Sequence, residues 1–309
     1  MNVLVSAGKV PDTQSLSSGW LNAFRSLNHN AIGWFSDKEC AFDVFDRVQP
    51  EVFWVHSSDL TRETVKAICA NKETKVILFV NDWDAASEQE KSFVSTLVKN
   101  GTQLAFSTAF KERVWECCEG WKSIGLQTLS CLPAADTTRY APAKISNKDS
   151  SDISFIGCYE SSKEANIVDY VFPLLHDFDL KIYGYGYWPV ANYLGSLNKD
   201  MFNTIVSNTK VNLSVSHNQL KATTPSERIF KILACGKIPL IHQSCQAYKD
   251  TFPVARFFKS KLELFEQVAQ MLKTETTNSQ DLKALEFIKN GHSYVDRVNK
   301  TLDILGVKK

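Results

Sequence analysis

Lys210-Val211-Asn212-Leu213-Ser214, followed by Thr223-Thr224-Pro225-Ser226-Glu227-Arg228-Ile229-Phe230-Lys231-Ile232-Leu233-Ala234-Cys235-Gly236-Lys237-Ile238-Pro239-Leu240-Ile241-His242, holds one complete strand–helix–strand unit. The first run is short, apolar and β-rich; Ser226–Ala234 takes helical spacing; Gly236 ends the helix and Lys237–His242 is the next strand. Thr224 is the N-cap candidate, Pro225 suits the first helical position and Glu227 completes a Thr-x-x-Glu capping box. A helix start of this kind points free N–H groups and a positive dipole end beyond the strands, where an anion is welcome. Arg228, one turn in, adds a forked contact suited to phosphate. The same residues also describe an ordinary capped helix with a solvated arginine.

Outward from this unit the alternation repeats. Short apolar runs stand at Asn2–Ser6, Ala31–Phe35, Val52–His56, Lys75–Val80, Gln103–Ser107 and Gln127–Leu132, with helical spacing over Leu16–Leu27, Leu60–Ala70, Ser87–Lys99 and Phe110–Ser123. Residues 133–152 break the pattern with two prolines and many small polar residues, a linker composition. Runs then resume at Ile153–Gly157, Leu180–Gly184, Lys210–Ser214, Lys237–His242 and Val254–Phe258. Helical stretches at Lys163–His176, Lys199–Ser207, Ser226–Ala234 and Lys261–Lys273 separate them, and two more close the chain. Strand–helix repetition predicts α/β architecture: two Rossmann-like, doubly wound parallel-sheet domains facing across a cleft. The expected domains are 1–140 and 150–290, with a C-terminal helix at 291–309 packing back on the first. Ligands of such sheets gather at the carboxyl ends of the strands.

Composition narrows the function classes. A 44% hydrophobic fraction excludes disorder as the overall state, and 35 Lys and Arg against 34 Asp and Glu leave a net charge of +1. Blanket phosphate neutralisation is therefore excluded, and nucleic acid would need a local basic patch. No apolar run is long enough to span a bilayer, and Met1–Ser6 reads as a first strand, which predicts a cytoplasmic protein (host cytoplasm for a viral one). The eight cysteines lack Cys-x-x-Cys spacing and read as reduced core residues.

The second half resembles the group-1-like glycosyltransferases of GT-B fold, in particular their spore-maturation-protein-like branch. Arg228, Phe230, Ala234, Cys235 and Gly236 resemble that branch's Arg–aromatic–acidic pattern with Ala-Cys-Gly before a strand. Phe155-Ile156-Gly157, Ile182-Tyr183-Gly184-Tyr185-Gly186, Lys210-Val211-Asn212-Leu213 and His292-Ser293-Tyr294-Val295-Asp296-Arg297 resemble further family signposts in the same order. The likeness covers roughly residues 130–305; the first half is similar in architecture. One departure is plain: retaining members carry Glu-x7-Glu across this helix, and the matching positions here are Thr223 and Lys231, with Glu227 one turn before Lys231.

The resemblance implies sugar transfer from a nucleotide-diphosphate sugar, UDP-linked for preference, to an acceptor hydroxyl, retaining in outcome by family precedent and with no obligatory metal. Arg228, Lys231 and the helix start at Ser226 and Glu227 would stabilise the leaving pyrophosphate, with Lys163 a further candidate. Gly157 and Gly184 would admit the donor close to the backbone, and Tyr185 and Trp188 would stack on its base; plain turns and loop packing explain these residues equally. In the first half, Gly8, Ser18 and Gly19 fall where the family has an acceptor- or phosphate-contacting loop. Asp82 and Asp84 follow the most apolar strand, and Asp82 is placed to orient or deprotonate the attacking hydroxyl. His56, ending the preceding strand, is the other catalytic candidate, and His217 is a weaker acceptor-side one. Asp82-Trp83-Asp84 also matches the metal-and-donor motif of the single-domain glycosyltransferase fold, which leaves the second half unexplained.

The acceptor is open: a glycan, protein or small molecule, or a hydroxymethylated base in DNA as in phage enzymes of the same fold. Arg256, Lys259, Lys261 and Lys221 are the basic residues that DNA would use. A different class, an epimerase-like or catalytically silent sugar-nucleotide-binding protein, is motivated by the missing Glu pair.

Overall fold

The structure, a computed structural model, describes residues 1–7, 16–146, 150–197, 199–215, 223–274 and 278–307. The chain forms two compact units, one comprising Met1–Pro133 with Tyr294–Lys309 and the other Ala134–Ser293.

Unit 1 runs β1 (Asn2–Ser6), α1 (Leu16–Ser26), β2 (Asn30–Trp34), α2 (Ala41–Val48), β3 (Val52–His56), α3 (Arg62–Ala70), β4 (Lys75–Phe79), α4 (Glu88–Lys99), β5 (Leu104–Ser107), α5 (Val114–Ser123) and β6 (Gln127–Ser130). Its six strands are ordered β2-β1-β3-β4-β5-β6, and every pair is parallel. Strands covered on both faces must be apolar on both, which is why Val3, Leu4 and Val5, or Val52, Phe53, Trp54 and Val55, are buried in succession rather than alternately. One face packs Phe53, Phe45 and Trp34; the other gathers Trp20, Trp54, Phe79 and Phe106.

Unit 2 runs β7 (Ser151–Ile156), α6 (Ser161–Asn166), β8 (Leu180–Tyr183), α7 (Lys199–Asn208), β9 (Thr209–Ser214), α8 (Glu227–Ala234), β10 (Pro239–His242), α9 (Gln246–Thr251), β11 (Arg256–Phe258), α10 (Lys261–Lys273) and α11 (Asn278–Lys289). Its sheet order is β11-β10-β9-β7-β8, again with parallel pairs. The last helix, α12 (Tyr294–Ile304), returns to unit 1 and packs on α1. Among the described residues, no helix is long and apolar enough to cross a membrane.

Four sequence expectations are corrected. Residues 134–146 are no free linker: Ala134, Ala135, Asp136 and Tyr140 are buried in unit 2, Asn203 Nδ2 donates to the Arg139 carbonyl at 2.8 Å, and the Ala143 amide donates to Ser207 Oγ at 2.9 Å. Helix α2 has no counterpart in the sequence reading because its apolar stripe, Ala41, Val44, Phe45 and Val48, spans barely two turns. The single helix expected over Lys163–His176 is α6 followed by a π turn at Ile167–Val171 and a 3-10 turn at Phe172–Leu175. Pro173, which lacks an N–H and crowds the preceding turn, breaks the regular ladder. Finally, α8 starts later than its capping-box pattern suggests, at Glu227 with Ser226 as N-cap.

Candidate functional site

In unit 2 the carboxyl ends of β7 and β9 and the start of α8 meet at Arg228. Ser226 Oγ accepts the Arg228 amide at 3.4 Å, and the Arg228 side chain runs back against the strands. Its guanidinium lies over the Phe155 ring at 4.9 Å, with Nη1 3.4 Å from the Val215 carbonyl. Burial draws its pKa down to about 10, opposed by Cys158 and Tyr248. Among the described residues no carboxylate pairs with it. A largely desolvated cation without a counter-ion is costly, and an incoming anion relieves that cost.

The glycines around it are shaped by packing. A Cβ on Gly157 would lie 2.8 Å from Arg228 Nη2, so the space expected for a donor is taken by the arginine itself. Gly184 has φ +136°, and a Cβ there would fall 1.8 Å from the Gly157 carbonyl oxygen; two backbones cross at this point. Gly184 is therefore required by the fold, and Gly157 is what lets the arginine seat.

Other donor-side expectations fare differently. Trp188 is corrected: it is 3% exposed, packed edge-on against Phe155 and beside Tyr159, Phe172 and Tyr193, so its faces are committed to the core. Tyr185 is 60% exposed in the loop between Gly184 and Gly186. Lys163 pairs with Glu160 at 3.1 Å. Glu227 is the first residue of α8, not the third-position partner of a Thr224 cap, and its carboxylate lies 3.1 Å from Lys231 Nζ. Lys231 is buried, with Tyr140 against its ammonium. Burial alone would lower its pKa, but Glu227 and Tyr140 outweigh that and raise it. Lys231 and Glu227 thus neutralise one another, leaving Arg228 as the charge of this helix that no carboxylate among the described residues pairs.

In unit 1, His56 Nδ1 accepts the Ser58 amide at 3.3 Å and meets Ser58 Oγ at 2.8 Å. An acceptor at Nδ1 places the neutral ring's proton on Nε2. Burial lowers the ring's pKa, opposed by Glu90. Asp82 builds a turn: Oδ1 accepts the Asp84 amide at 3.0 Å, and its carbonyl accepts the amides of Ala85 and Ala86. Asp84 is exposed. Gly19 is corrected: a Cβ there would stand 2.2 Å from the Tyr294 ring, so this glycine serves the contact of α1 with α12. Ser18, half-buried beside it, is already bonded within the chain. Gly8, His217 and Lys221 lie outside the described residues.

Sequence reasoning missed Glu90. It is buried, accepts Ser57 Oγ–H in a short hydrogen bond, and takes Asn81 Nδ2 at 3.2 and 3.5 Å. The Ser87-x-x-Glu90 cap spacing marked the residue, and Ser87 Oγ does accept the Glu90 amide at 3.1 Å; that its carboxylate turns inward is a tertiary fact. Among the described residues no three His, Cys, Asp or Glu side chains converge as a metal-holding group.

Comparison with known proteins bears on the fold. Residues 165–303 match the family model "Glycosyl transferase-like". No curated protein sequence matches the chain. Among solved structures, the catalytic domain of starch synthase IV from Arabidopsis thaliana, bound to ADP and acarbose, is similar with a TM-score of 0.68 at 9% identity over 98% of each chain. The E. coli trehalose-6-phosphate protein bound with UDP-2-fluoro glucose gives 0.58 at 11% identity over 99% of each. A T4 phage BGT mutant in complex with UDP-glucose gives 0.55 at 10% identity over 98% of this chain and 96% of that one. The protein therefore has the two-sheet GT-B fold of these solved structures.

Proposed function

We propose that the protein transfers a sugar from a nucleotide-diphosphate donor to an acceptor hydroxyl, and that Arg228 with the start of α8 holds the diphosphate. The observation that carries this reading is the partly buried guanidinium, seated by Gly157 and Phe155 and paired with no carboxylate among the described residues. Charge developing on a departing diphosphate would find a fixed cation and a helix N-terminus already in place, without solvent reorganisation. Structures of similar fold were solved with UDP-glucose, UDP-2-fluoro glucose or ADP, which supports a nucleotide-sugar donor, UDP-linked by preference. Transfer without an obligatory metal follows from giving the pyrophosphate charge to Arg228. Retention of the anomeric configuration belongs to the same proposal.

A glycan, protein or small-molecule acceptor is favoured over DNA. Arg256, from the basic cluster that DNA would use, is engaged with Gln267 at 3.4 Å and Gln270 at 3.1 Å, and the net charge is only +1. The test is a thermal-shift series with UDP, ADP and GDP on the wild type and on Arg228→Ala, with and without EDTA, followed by nucleoside-diphosphate release from the matching sugars. A stabilising shift for one nucleotide, EDTA-insensitive and lost in Arg228→Ala, is expected. No shift with any nucleotide would overturn the reading, and binding without release from any sugar would indicate a silent sugar-nucleotide-binding protein.

A further inference from the structure

The two sheets treat their edges unequally. In unit 2 the outer side of β8 is closed by the following segment: Ile182 N–H donates to the Asn192 carbonyl at 3.0 Å and Leu194 N–H to the Ile182 carbonyl at 2.9 Å. The opposite edge, β11, carries Arg256. In unit 1 the β2 edge has its Ala31 carbonyl taken by Arg25 Nε at 3.0 Å. Among the described residues, the β6 edge has none of these protections. Its sequence, Gln127-Thr128-Leu129-Ser130, holds neither charge nor proline.

Gln127 and Cys131 give their N–H groups to Gln103 and Ser107, so the alternate residues Thr128 and Ser130 turn theirs outward. Among the described residues, Thr128 Oγ1 is buried without a hydrogen-bond partner. Alongside, between α5 and β6, runs a groove of about 720 Å³ lined by Val114, Trp115, Cys118, Leu126 and Leu129, with Lys111, Glu119 and Lys122 at its margin. Trp115 stands 68% exposed on its wall. A tryptophan that exposed beside an apolar groove is uncommon on a surface that meets only water.

We propose that this edge is an interface with a second copy of the same chain. The surface is self-complementary: it carries both a projecting indole and a groove able to receive one, and both an acidic residue, Glu119, and the lysines 111 and 122 that would pair with it. A two-fold relation sets the β6 edges antiparallel, so the outward N–H and C=O groups of Thr128 and Ser130 meet their counterparts and each Trp115 enters the other copy's groove. A partner bearing charge of one sign would leave either Glu119 or the two lysines unpaired.

Sedimentation equilibrium of the full chain across a concentration series tests the proposal, read together with hydrogen exchange at the Thr128 and Ser130 amides. Dimer formation is expected, with protection of those two amides rising in step with concentration. Trp115→Glu and, separately, Thr128→Pro, which removes an outward N–H on an edge strand, should each weaken the dimer by ~30-fold or more while circular dichroism stays unchanged. A monomer at every concentration, or a dimer in which those amides exchange at the same rate at high and low dilution, overturns it. So does a dimer that survives both substitutions intact.

Discussion

Lys231 Nζ lies 3.1 Å from Glu227 Oε2, one helical turn away, and the Tyr140 ring closes over the same ammonium at 5.2 Å. The pair satisfies a lysine in the buried part of α8, and each partner depends on the other. Lys231→Met should cost roughly 2 kcal/mol in urea unfolding, less than for a fully enclosed pair because Glu227 retains some solvent. Adding Glu227→Gln to that variant should restore part of the loss, since the stranded carboxylate is then neutral. A double variant less stable than the sum of the single ones would contradict the pairing.

Gly157 and Gly184 give a second, graded expectation. Gly184→Ala brings a Cβ onto the Gly157 carbonyl and forces a side chain into left-handed backbone, so it should cost about 3 kcal/mol or more. Gly157→Ala presses on Arg228 Nη2, the end of a side chain that can yield, and should cost only about 1 kcal/mol. Its larger effect should be on nucleotide binding, because the guanidinium must leave its seat over Phe155: calorimetric affinity for the preferred nucleoside diphosphate should fall ~10-fold. Equal stability losses for the two variants, or unchanged nucleotide affinity in Gly157→Ala, would count against this geometry.

The contrast between these residues shows what a one-dimensional pattern carries. The strand–helix alternation was legible because buried parallel strands must be apolar on both faces, and the unit from Lys210 to His242 was recognisable from its cap, its glycine and its apolar runs. Arg228 could be singled out by its place near a helix start, but its desolvation over Phe155 depends on a strand more than seventy residues earlier and leaves no local trace. Trp188 illustrates the opposite failure: an aromatic after a glycine loop reads as a stacking platform until Phe155, Phe172 and Tyr193 are seen around it. The inward turn of Glu90 was hidden for the same reason, since a cap residue in sequence becomes a buried carboxylate only when Ser57 and Asn81 come to meet it.

Asp82 separates a structural from a chemical role. Its Oδ1 caps the Asp84 amide at 3.0 Å, a function that asparagine performs equally well. Asp82→Asn should therefore change stability by no more than about 0.5 kcal/mol. If the carboxylate addresses the acceptor hydroxyl, the variant should lose transfer while nucleoside-diphosphate affinity stays at the wild-type value. Transfer at the wild-type rate would leave Asp82 as a turn residue only, and equal losses in transfer and donor affinity would contradict an acceptor-side role.

The histidines predict the acid side of the stability profile. Burial lowers the pKa of His56 against the pull of Glu90, and burial lowers that of His242, which sits 4.6 Å from the Tyr170 ring and 5.4 Å from Phe258. His29 is lowered as well, by burial and then by the chain's amino terminus, with Glu51 opposing. In each case the unfolded chain takes up a proton more readily than the folded one. The folded state thus has its full stability above the unfolded value of ~6.5 and loses it as pH falls through the lower folded values. Urea midpoints measured from pH 7.5 to 5 should decline across that window, before most carboxylates titrate. His56→Gln, which keeps an acceptor for the Ser58 amide, should flatten the decline, and His242→Phe, which keeps the ring contacts, should flatten it independently. A wild-type midpoint that does not move over this range, or a slope unaltered in both variants, would show that these rings carry no burden of neutrality in the fold.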